Sequence, residues 1–130
     1  MISVIIPTLE EERYIGKTLV RLLKFAPEIE VIVVDGCSKD RTVEIAKRYT
    51  EKVFRIRERG ISKAKNFGAK HAQGDILVFM DADVTVPDDF LLKVARIFQN
   101  SDIVGATCNI MPYRPKMYEF IYFCLLNLLI

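Results

Sequence analysis

Short apolar runs rich in β-branched residues alternate with amphipathic stretches along the chain, and this alternation restricts the fold more than any other feature. Five runs predict strands, at residues 2–7, 30–35, 52–56, 76–80 and 103–106. The stretches between them carry apolar residues at helical spacing, so four helices are predicted. This order predicts an α/β fold, with a mostly parallel sheet and helices on both faces.

Composition excludes several classes of protein. The chain has 130 residues, 51% of them hydrophobic, and a net charge of +2. These values exclude disorder and argue against a nucleic-acid partner. Three cysteines without CxxC spacing indicate a reducing compartment. The N-terminal residues have no basic segment before their apolar run, so a cytoplasmic protein is expected.

The C-terminal residues 117–130 form an apolar run with a single charged side chain, Glu119. The run is shorter than the about 20 residues of a membrane span, and it predicts a helix without a C-terminal cap. We therefore expect residues 1–110 to form a ligand-binding domain. Residues 111–130 are expected to be an apolar tail helix that begins a further region.

Polar and acidic residues follow three of the predicted strands. In parallel α/β sheets, ligands bind beyond the carboxyl ends of the strands. The sequence contains neither a GxxxxGK[ST] nor a GxGxxG phosphate loop. The carboxylates at the strand ends therefore indicate a divalent cation that bridges to phosphate groups.

The motif Asp81-Ala82-Asp83 is the strongest of these candidates because it follows the apolar run 76–80. In an extended chain alternate side chains share one side, which places the two carboxylates roughly 6.6 Å apart. Such hard oxygen ligands suit Mg²⁺ or Mn²⁺ with open positions for diphosphate oxygens. A D-x-D triplet also arises by chance. The interpretation as a metal site therefore depends on the position of this triplet at the end of a predicted strand.

Residues 35–40 predict a strand-to-helix turn. Ser38 or Asp40 would cap the following helix, and Gly36 would permit a tight turn. Asp35 is then either a second cap or an acceptor for a base N–H or a ribose hydroxyl.

Three other features allow a structural and a functional interpretation. Residues 10–12 are three glutamates, which belong either to a solvated helix start or, for the one turned toward the strand ends, to a site. The basic run 57–70 is either a solvated helix face or a source of cations for a diphosphate. His71 is expected at the surface, near a helix C-terminus, rather than in catalysis.

Four segments match the blocks of one known family in the right order and together cover residues 2–98. SVIIPTLEEE matches VVIPTYNEE, and VDGCSKDRT matches VDDGSTDGT. AKNFGAKHAQGD and ILVFMDAD match ARNxGxxxAxGD and xxxFLDAD. The chain thus resembles the family 2 glycosyltransferases of the GT-A fold, which include polyprenyl-phosphate sugar transferases.

The resemblance implies a Rossmann-like nucleotide-binding half that takes a UDP- or GDP-linked sugar. The sugar would be transferred with inversion to an acceptor such as a lipid phosphate or a glycan. The resemblance also implies Mn²⁺ or Mg²⁺ on Asp81 and Asp83. The remaining positions that it assigns to nucleotide-sugar binding are Pro7, Thr8, Glu11, Asp35, Lys65 and Ala82.

The sequence departs from the family pattern at several positions. Leu9 and Glu10 stand where the family often has tyrosine and asparagine, which removes a stack on the base. Gly36 replaces the second aspartate of VDDGS, a common base contact, so the nucleotide stays open. The family's acceptor half, which carries the general base in many members, would follow these residues.

Family resemblance also bears on residues 117–130. They are expected either to lie at the cytoplasmic face of a membrane or to pack on further protein. An exposed apolar helix would also associate with a second copy, giving a homodimer.

Two alternatives to a glycosyltransferase remain at this point. The first is a non-catalytic module that binds a nucleotide sugar, and the second is a phosphatase. Asp81 to Thr85 spell D-A-D-V-T, which looks like the D-x-D-x-T nucleophile motif of haloacid-dehalogenase phosphatases. That motif usually lies near the start of a chain, so the phosphatase is the less favoured alternative.

Overall fold

Four strands form one parallel sheet: β1 (Ile2–Thr8), β2 (Ile29–Asp35), β3 (Val53–Arg55) and β4 (Ile76–Phe79). The helices are α1 (Ile15–Leu22), α2 (Thr42–Ala46), α3 (Ile61–His71) and α4 (Phe90–Ile97), with a 3-10 turn at Leu23–Phe25. This computed structural model describes residues 1–108. The predicted α/β class, with a parallel sheet and helices on both faces, is confirmed.

The chain divides into two compact units, Met1–Gln99 and Asn100–Ile130. The predicted fifth strand at residues 103–106 is wrong, because these residues are not in a strand and Val104 is 98% exposed. A strand needs a hydrogen-bonded neighbour, and this short segment with its glycine has none within residues 1–108. The predicted tail helix at 111–130 and the apolar run 117–130 lie outside the described residues.

The sheet is buried on both faces, and alternate side chains of β1 enter two different clusters. Val4 and Ile6 pack in a cluster with residues from α1, α2 and α4. Ile5 packs on the opposite face with Ala64 of α3. Each fully buried isoleucine or leucine contributes about 1.5–3 kcal/mol. Within residues 1–108, no helix combines the length and the apolar character that crossing a membrane requires.

The strand order is β3-β2-β1-β4, so the chain builds the sheet outward from β1 and then returns to its other side. A reversal of this kind leaves a crevice beyond the carboxyl ends of the strands on either side of it, here β1 and β4. Thr8 and Asp35 end β1 and β2 in register, and Asp81 follows β4. The topology therefore brings the predicted site residues to one edge of the sheet.

Gly68 sets how closely α3 approaches this sheet. A Cβ atom at Gly68 would lie 2.4 Å from Cγ2 of Ile5 and 3.3 Å from Cγ2 of Val34. Both partners are fully buried, so neither side chain can move aside without disturbing the core.

We expect Gly68→Ala to lower the free energy of unfolding by up to about 2 kcal/mol, because an overpacking cost of about 1–3 kcal/mol outweighs the about 1 kcal/mol that alanine gains in a helix. Urea denaturation followed by circular dichroism measures the change. Gly105→Ala is the matched control, since a Cβ atom there meets nothing within 4 Å. A Gly68→Ala variant as stable as the wild type would contradict the close approach of α3.

Candidate functional site

Two loops at the carboxyl edge of the sheet hold each other by backbone-to-side-chain hydrogen bonds. The first loop (residues 9–12) follows β1, and the second loop (residues 36–41) follows β2. The Glu10 N–H donates to Oγ of Ser38 at 2.9 Å, and the Lys39 N–H donates to Oε1 of Glu10 at 2.8 Å. Each loop thus supplies both a donor and an acceptor to the other.

Glu12 makes the same kind of exchange with the next residues of the second loop. Its N–H donates to Oδ2 of Asp40 at 3.1 Å, and its Oε2 accepts from the Arg41 N–H at 3.0 Å. Between them, the Glu11 N–H donates to Oγ1 of Thr42 at 2.8 Å. The Glu10 and Glu12 carboxylates therefore fix the second loop, whereas the Glu11 carboxylate takes no part in this exchange.

Glu11 lies instead in the field of the acidic motif that follows β4. Burial, followed by the negative charges of Asp83, Asp40 and Asp81, raises the pKa of Glu11 above its usual value. Of the three adjacent glutamates, Glu11 is thus the one that matches the predicted position near the strand ends.

Asp35 is fully buried at the end of β2, and its oxygens accept several hydrogen bonds within the chain. The Ser38 N–H donates to Oδ2 at 2.9 Å, and the hydroxyls of Ser38 and Thr8 donate to Oδ1, the latter at 3.3 Å. Nε of Arg55 lies 3.4 Å from Oδ2. These partners offset the cost of burying a carboxylate. Asp35 therefore organises the turn, and its contact with a nucleotide stays a prediction.

Cys37, and not Gly36, is the left-handed residue of the second loop. Cys37 has a φ of 69°, whereas Gly36 has no positive φ. The prediction that Gly36 makes the tight turn is therefore wrong. The Gly36 N–H donates to the Thr8 carbonyl at 2.9 Å, which extends the pairing of β1 with β2. The Cys37 thiol donates to the Ile56 carbonyl at 3.2 Å.

The motif Asp81 to Asp83 lies in a turn, whereas the sequence predicted an extended chain there. The Val84 N–H donates to the Asp81 carbonyl at 3.3 Å. The reason is that β4 pairs with β1 only as far as Phe79, so no ladder holds the following residues extended. The predicted alternation of the two carboxylates along a strand is therefore wrong, although both side chains are exposed beside the crevice.

Two contacts hold this turn in place. Oγ1 of Thr18, a buried residue of α1, donates to the Ala82 carbonyl at 2.6 Å. Nζ of Lys65, on α3, lies 3.6 Å from Oδ1 of Asp81. Helices from both faces of the sheet thus reach the turn, while its carboxylates stay open to solvent.

Asp81 and Asp83 supply exposed carboxylate oxygens, the type of ligand that Mg²⁺ or Mn²⁺ takes together with phosphate oxygens. Among residues 1–108, no three His, Cys, Asp or Glu side chains are grouped closely enough to hold a metal by themselves. Mg²⁺ commonly takes only one or two carboxylates, with water and substrate phosphates as its other ligands. A metal on these two residues therefore stays a prediction.

The basic run 57–70 contributes to the same edge of the sheet. Arg57 and Lys63 line a cleft of about 340 Å³ that lies beyond β3, next to Arg55. His71 is exposed in the last turn of α3, where its ring stacks on Phe67 with the centroids 4.1 Å apart. The predicted surface position of His71 near a helix C-terminus is confirmed.

The sequence model of the family described as glycosyl transferase family 2 matches residues 3–122. This chain belongs to glycosyltransferase family 2. The family 2 chain is 39% identical over 128 residues to 4,4'-diaponeurosporenoate glycosyltransferase of Staphylococcus haemolyticus, which covers 91% of this chain and 34% of that protein. It is 37% identical over 110 residues to dolichol-phosphate mannosyltransferase of Pyrococcus furiosus, with 78% and 31% covered.

Solved structures share the fold of the family 2 chain. TarS of S. aureus matches with a TM-score of 0.70 at 28% identity, over 88% of this chain and 24% of TarS. Glucosyl-3-phosphoglycerate synthase from Mycobacterium tuberculosis matches with a TM-score of 0.70 at 26% identity, over 79% and 41%. The family 2 chain spans 34% of 4,4'-diaponeurosporenoate glycosyltransferase, 31% of dolichol-phosphate mannosyltransferase and 20% of the curated TarS sequence, which is less than half of each.

Sequence reasoning missed three residues that shape this site. Thr18 is a hydroxyl on the otherwise apolar face of α1, and this irregularity was the available signal. Arg55 faces Asp35 in the register of β2 and β3, which only strand pairing reveals. Cys37 occupies the position of the glycine in the family block VDDGS, and a glycine in a turn is a signal for a left-handed backbone.

We expect Cys37→Gly to raise the free energy of unfolding by about 0.5 kcal/mol or more, because glycine adopts a positive φ without steric cost. Cys37→Ala is the control, since it also removes the thiol but keeps a Cβ atom. Urea denaturation of the three proteins measures the difference. Equal stability of the alanine and glycine variants would contradict strain at this residue.

We expect Thr18→Val to loosen the turn after β4, because the Ala82 carbonyl loses its hydroxyl donor. The amide of Val84, which closes the turn, should then exchange with solvent faster than in the wild type. Thr18→Ser retains the donor and serves as the control. Identical exchange of the Val84 amide in the two variants would show that this hydrogen bond does not hold the turn.

Proposed function

We propose that this chain is the donor-binding part of a metal-dependent glycosyltransferase, which moves a sugar from a nucleoside diphosphate to an acceptor. The observation that carries the proposal is the place of the Asp81-to-Asp83 turn in a family 2 chain. The turn lies at the crevice beside β1, with a cation from Lys65 and the carboxylate of Glu11 near it.

We propose a uridine diphosphate sugar as the donor, ahead of a guanosine diphosphate sugar. The supporting comparisons are TarS, solved in complex with UDP, and glucosyl-3-phosphoglycerate synthase, solved with Mg²⁺ and UDP and with Mn²⁺ and UDP-glucose.

Each residue of the site then has a definite role. Asp81 and Asp83 would hold Mg²⁺ or Mn²⁺, which when bound offsets negative charge on the departing diphosphate. Lys65 places a second positive charge at the same edge, suited to a diphosphate oxygen. Pro7 and Thr8 end β1 at the crevice, and Glu11 is the carboxylate of the first loop that remains for the donor sugar.

We propose an acceptor that carries phosphate, with inversion at the anomeric carbon. Dolichol phosphate, poly(ribitol-phosphate) and phosphoglyceric acid appear in the names or titles of similar proteins. A lipid phosphate acceptor would agree with a cytoplasmic protein at the membrane face. Membrane contact or dimer formation through residues 117–130 belongs to the same proposal and rests on sequence alone.

A non-catalytic nucleotide-sugar module is the second candidate. It shares the proposed donor site and differs only in that the bound sugar is not transferred. Transfer or hydrolysis of the donor by this chain would exclude that candidate. The family match favours the glycosyltransferase and the nucleotide-sugar module over the haloacid-dehalogenase phosphatase.

We expect calorimetric titration to show binding of UDP in Mn²⁺ that is lost in EDTA. Asp83→Ala should weaken this binding at least about tenfold, or about 1.4 kcal/mol, because one of two metal carboxylates is removed. Asp102→Ala removes an exposed carboxylate in the second unit and should leave the affinity unchanged. Unchanged affinity in Asp83→Ala would reject the metal site, and tighter binding of GDP would correct the donor.

A further inference from the structure

A groove of about 640 Å³ runs between α1 and α2, on the face of the sheet opposite α3. Its walls include a single carboxylate, that of Glu12, and several apolar side chains. The cationic side chains that line it are Arg13, Lys17, Arg21, Lys24, Arg41 and Arg48. This cationic groove lies outside the proposed donor site.

Four of these cations follow one another at helical spacing in the segment that contains α1. Lys17 and Arg21 lie on α1, Arg13 lies in the turn before it, and Lys24 lies in the 3-10 turn after it; all four line the groove. The opposite face of α1 is buried in the core through Ile15 and other apolar residues. The helix is therefore amphipathic, with a basic face directed away from the core.

Nearby carboxylates offset only part of this charge. Glu44 pairs with Arg41 at 3.1 Å and also with Arg48. Asp88 lies 3.5 Å from Arg21 and 3.4 Å from Lys24. Arg13 and Lys17 are exposed and enter no ion pair in the part of the chain that the structure describes. The groove is thus strongly positive on a chain whose whole net charge is +2.

Apolar side chains accompany the cations. Val20, which is 50% exposed, and Tyr49 line the groove, and Leu23, which precedes the lining residue Lys24 in the chain, is 42% exposed. A cluster of Lys and Arg side chains is typical of a surface that binds anionic lipid headgroups, and exposed apolar and Tyr side chains beside it favour the membrane interface. An acidic polypeptide would need the cations but not the exposed apolar side chains.

We propose that the cationic groove is a docking surface for the headgroups of anionic phospholipids. The charged headgroups match its cations, and Val20 and Leu23 meet the boundary of the acyl chains. Reversible membrane attachment commonly needs two weak signals, and the apolar run 117–130 of the same chain is a second one by sequence. This inference does not depend on the donor chemistry.

Co-sedimentation of the 130-residue protein with phosphatidylcholine vesicles, with and without phosphatidylglycerol, tests the proposal. We expect binding that requires phosphatidylglycerol and falls as salt rises. Arg13→Gln/Lys17→Gln should lower the partition coefficient about 30-fold, the equivalent of about 1 kcal/mol for each basic residue near an anionic surface. Arg13→Lys/Lys17→Arg keeps both charges and should bind as the wild type does.

Arg59→Gln/Lys70→Gln is the matched control, because it removes the same net charge at exposed residues outside the groove. We expect it to lower binding by less than about threefold. Equal binding to both vesicle types, an equal loss in the matched control, or binding of polyglutamate without binding of phosphatidylglycerol would each overturn the proposal. Titration of the wild-type protein with UDP reports the donor site separately, so failure of one proposal is distinguishable from failure of the other.

Discussion

Burial of β1 on both faces is the constraint on which the rest of the structure depends. All seven of its residues are buried, and alternate side chains enter two separate clusters. A strand in this environment needs a parallel neighbour on each edge and helices above and below it, which β2, β4, α1 and α3 supply. The close approach of Gly68 to Ile5 is part of the same requirement. The chain leaves this core at Thr8, and the candidate site begins there.

Charges held within the chain then shape the carboxyl edge of the sheet. Asp35 is a fully buried carboxylate, and it is tolerated because Arg55 and Ser38 are within reach of its oxygens. The first and second loops hold one another through Glu10 and Glu12, whose carboxylates accept hydrogen bonds from backbone N–H groups of the second loop. The remaining carboxylates collect beside the crevice, where burial and the charges of Asp83, Asp40 and Asp81 raise the pKa of Glu11 and where Lys65 lies 3.6 Å from Asp81.

The two proposed surfaces occupy different parts of one unit. The donor site uses strand ends and loops, where the backbone leaves the sheet and side chains can converge from several elements. The cationic groove uses the outward faces of α1 and α2, which the core does not need. Because α1 contributes Thr18 to the acidic turn and Lys17 and Arg21 to the groove, one helix links both surfaces.

The sequence by itself determined the parallel α/β class and the residues that gather at the strand ends, because hydrophobic periodicity reports burial and the family blocks report chemistry. Only the tertiary structure decided that Glu11 is the glutamate near the acidic motif and that the motif Asp81 to Asp83 forms a turn. The left-handed backbone of Cys37 had a signal in the glycine of the family block, and the structure gives its φ of 69°. The structure also showed that residues 103–106 are not a strand. The position of Glu11, the turn and the missing strand depend on which distant segments of the chain are in contact, and local sequence patterns do not contain that information.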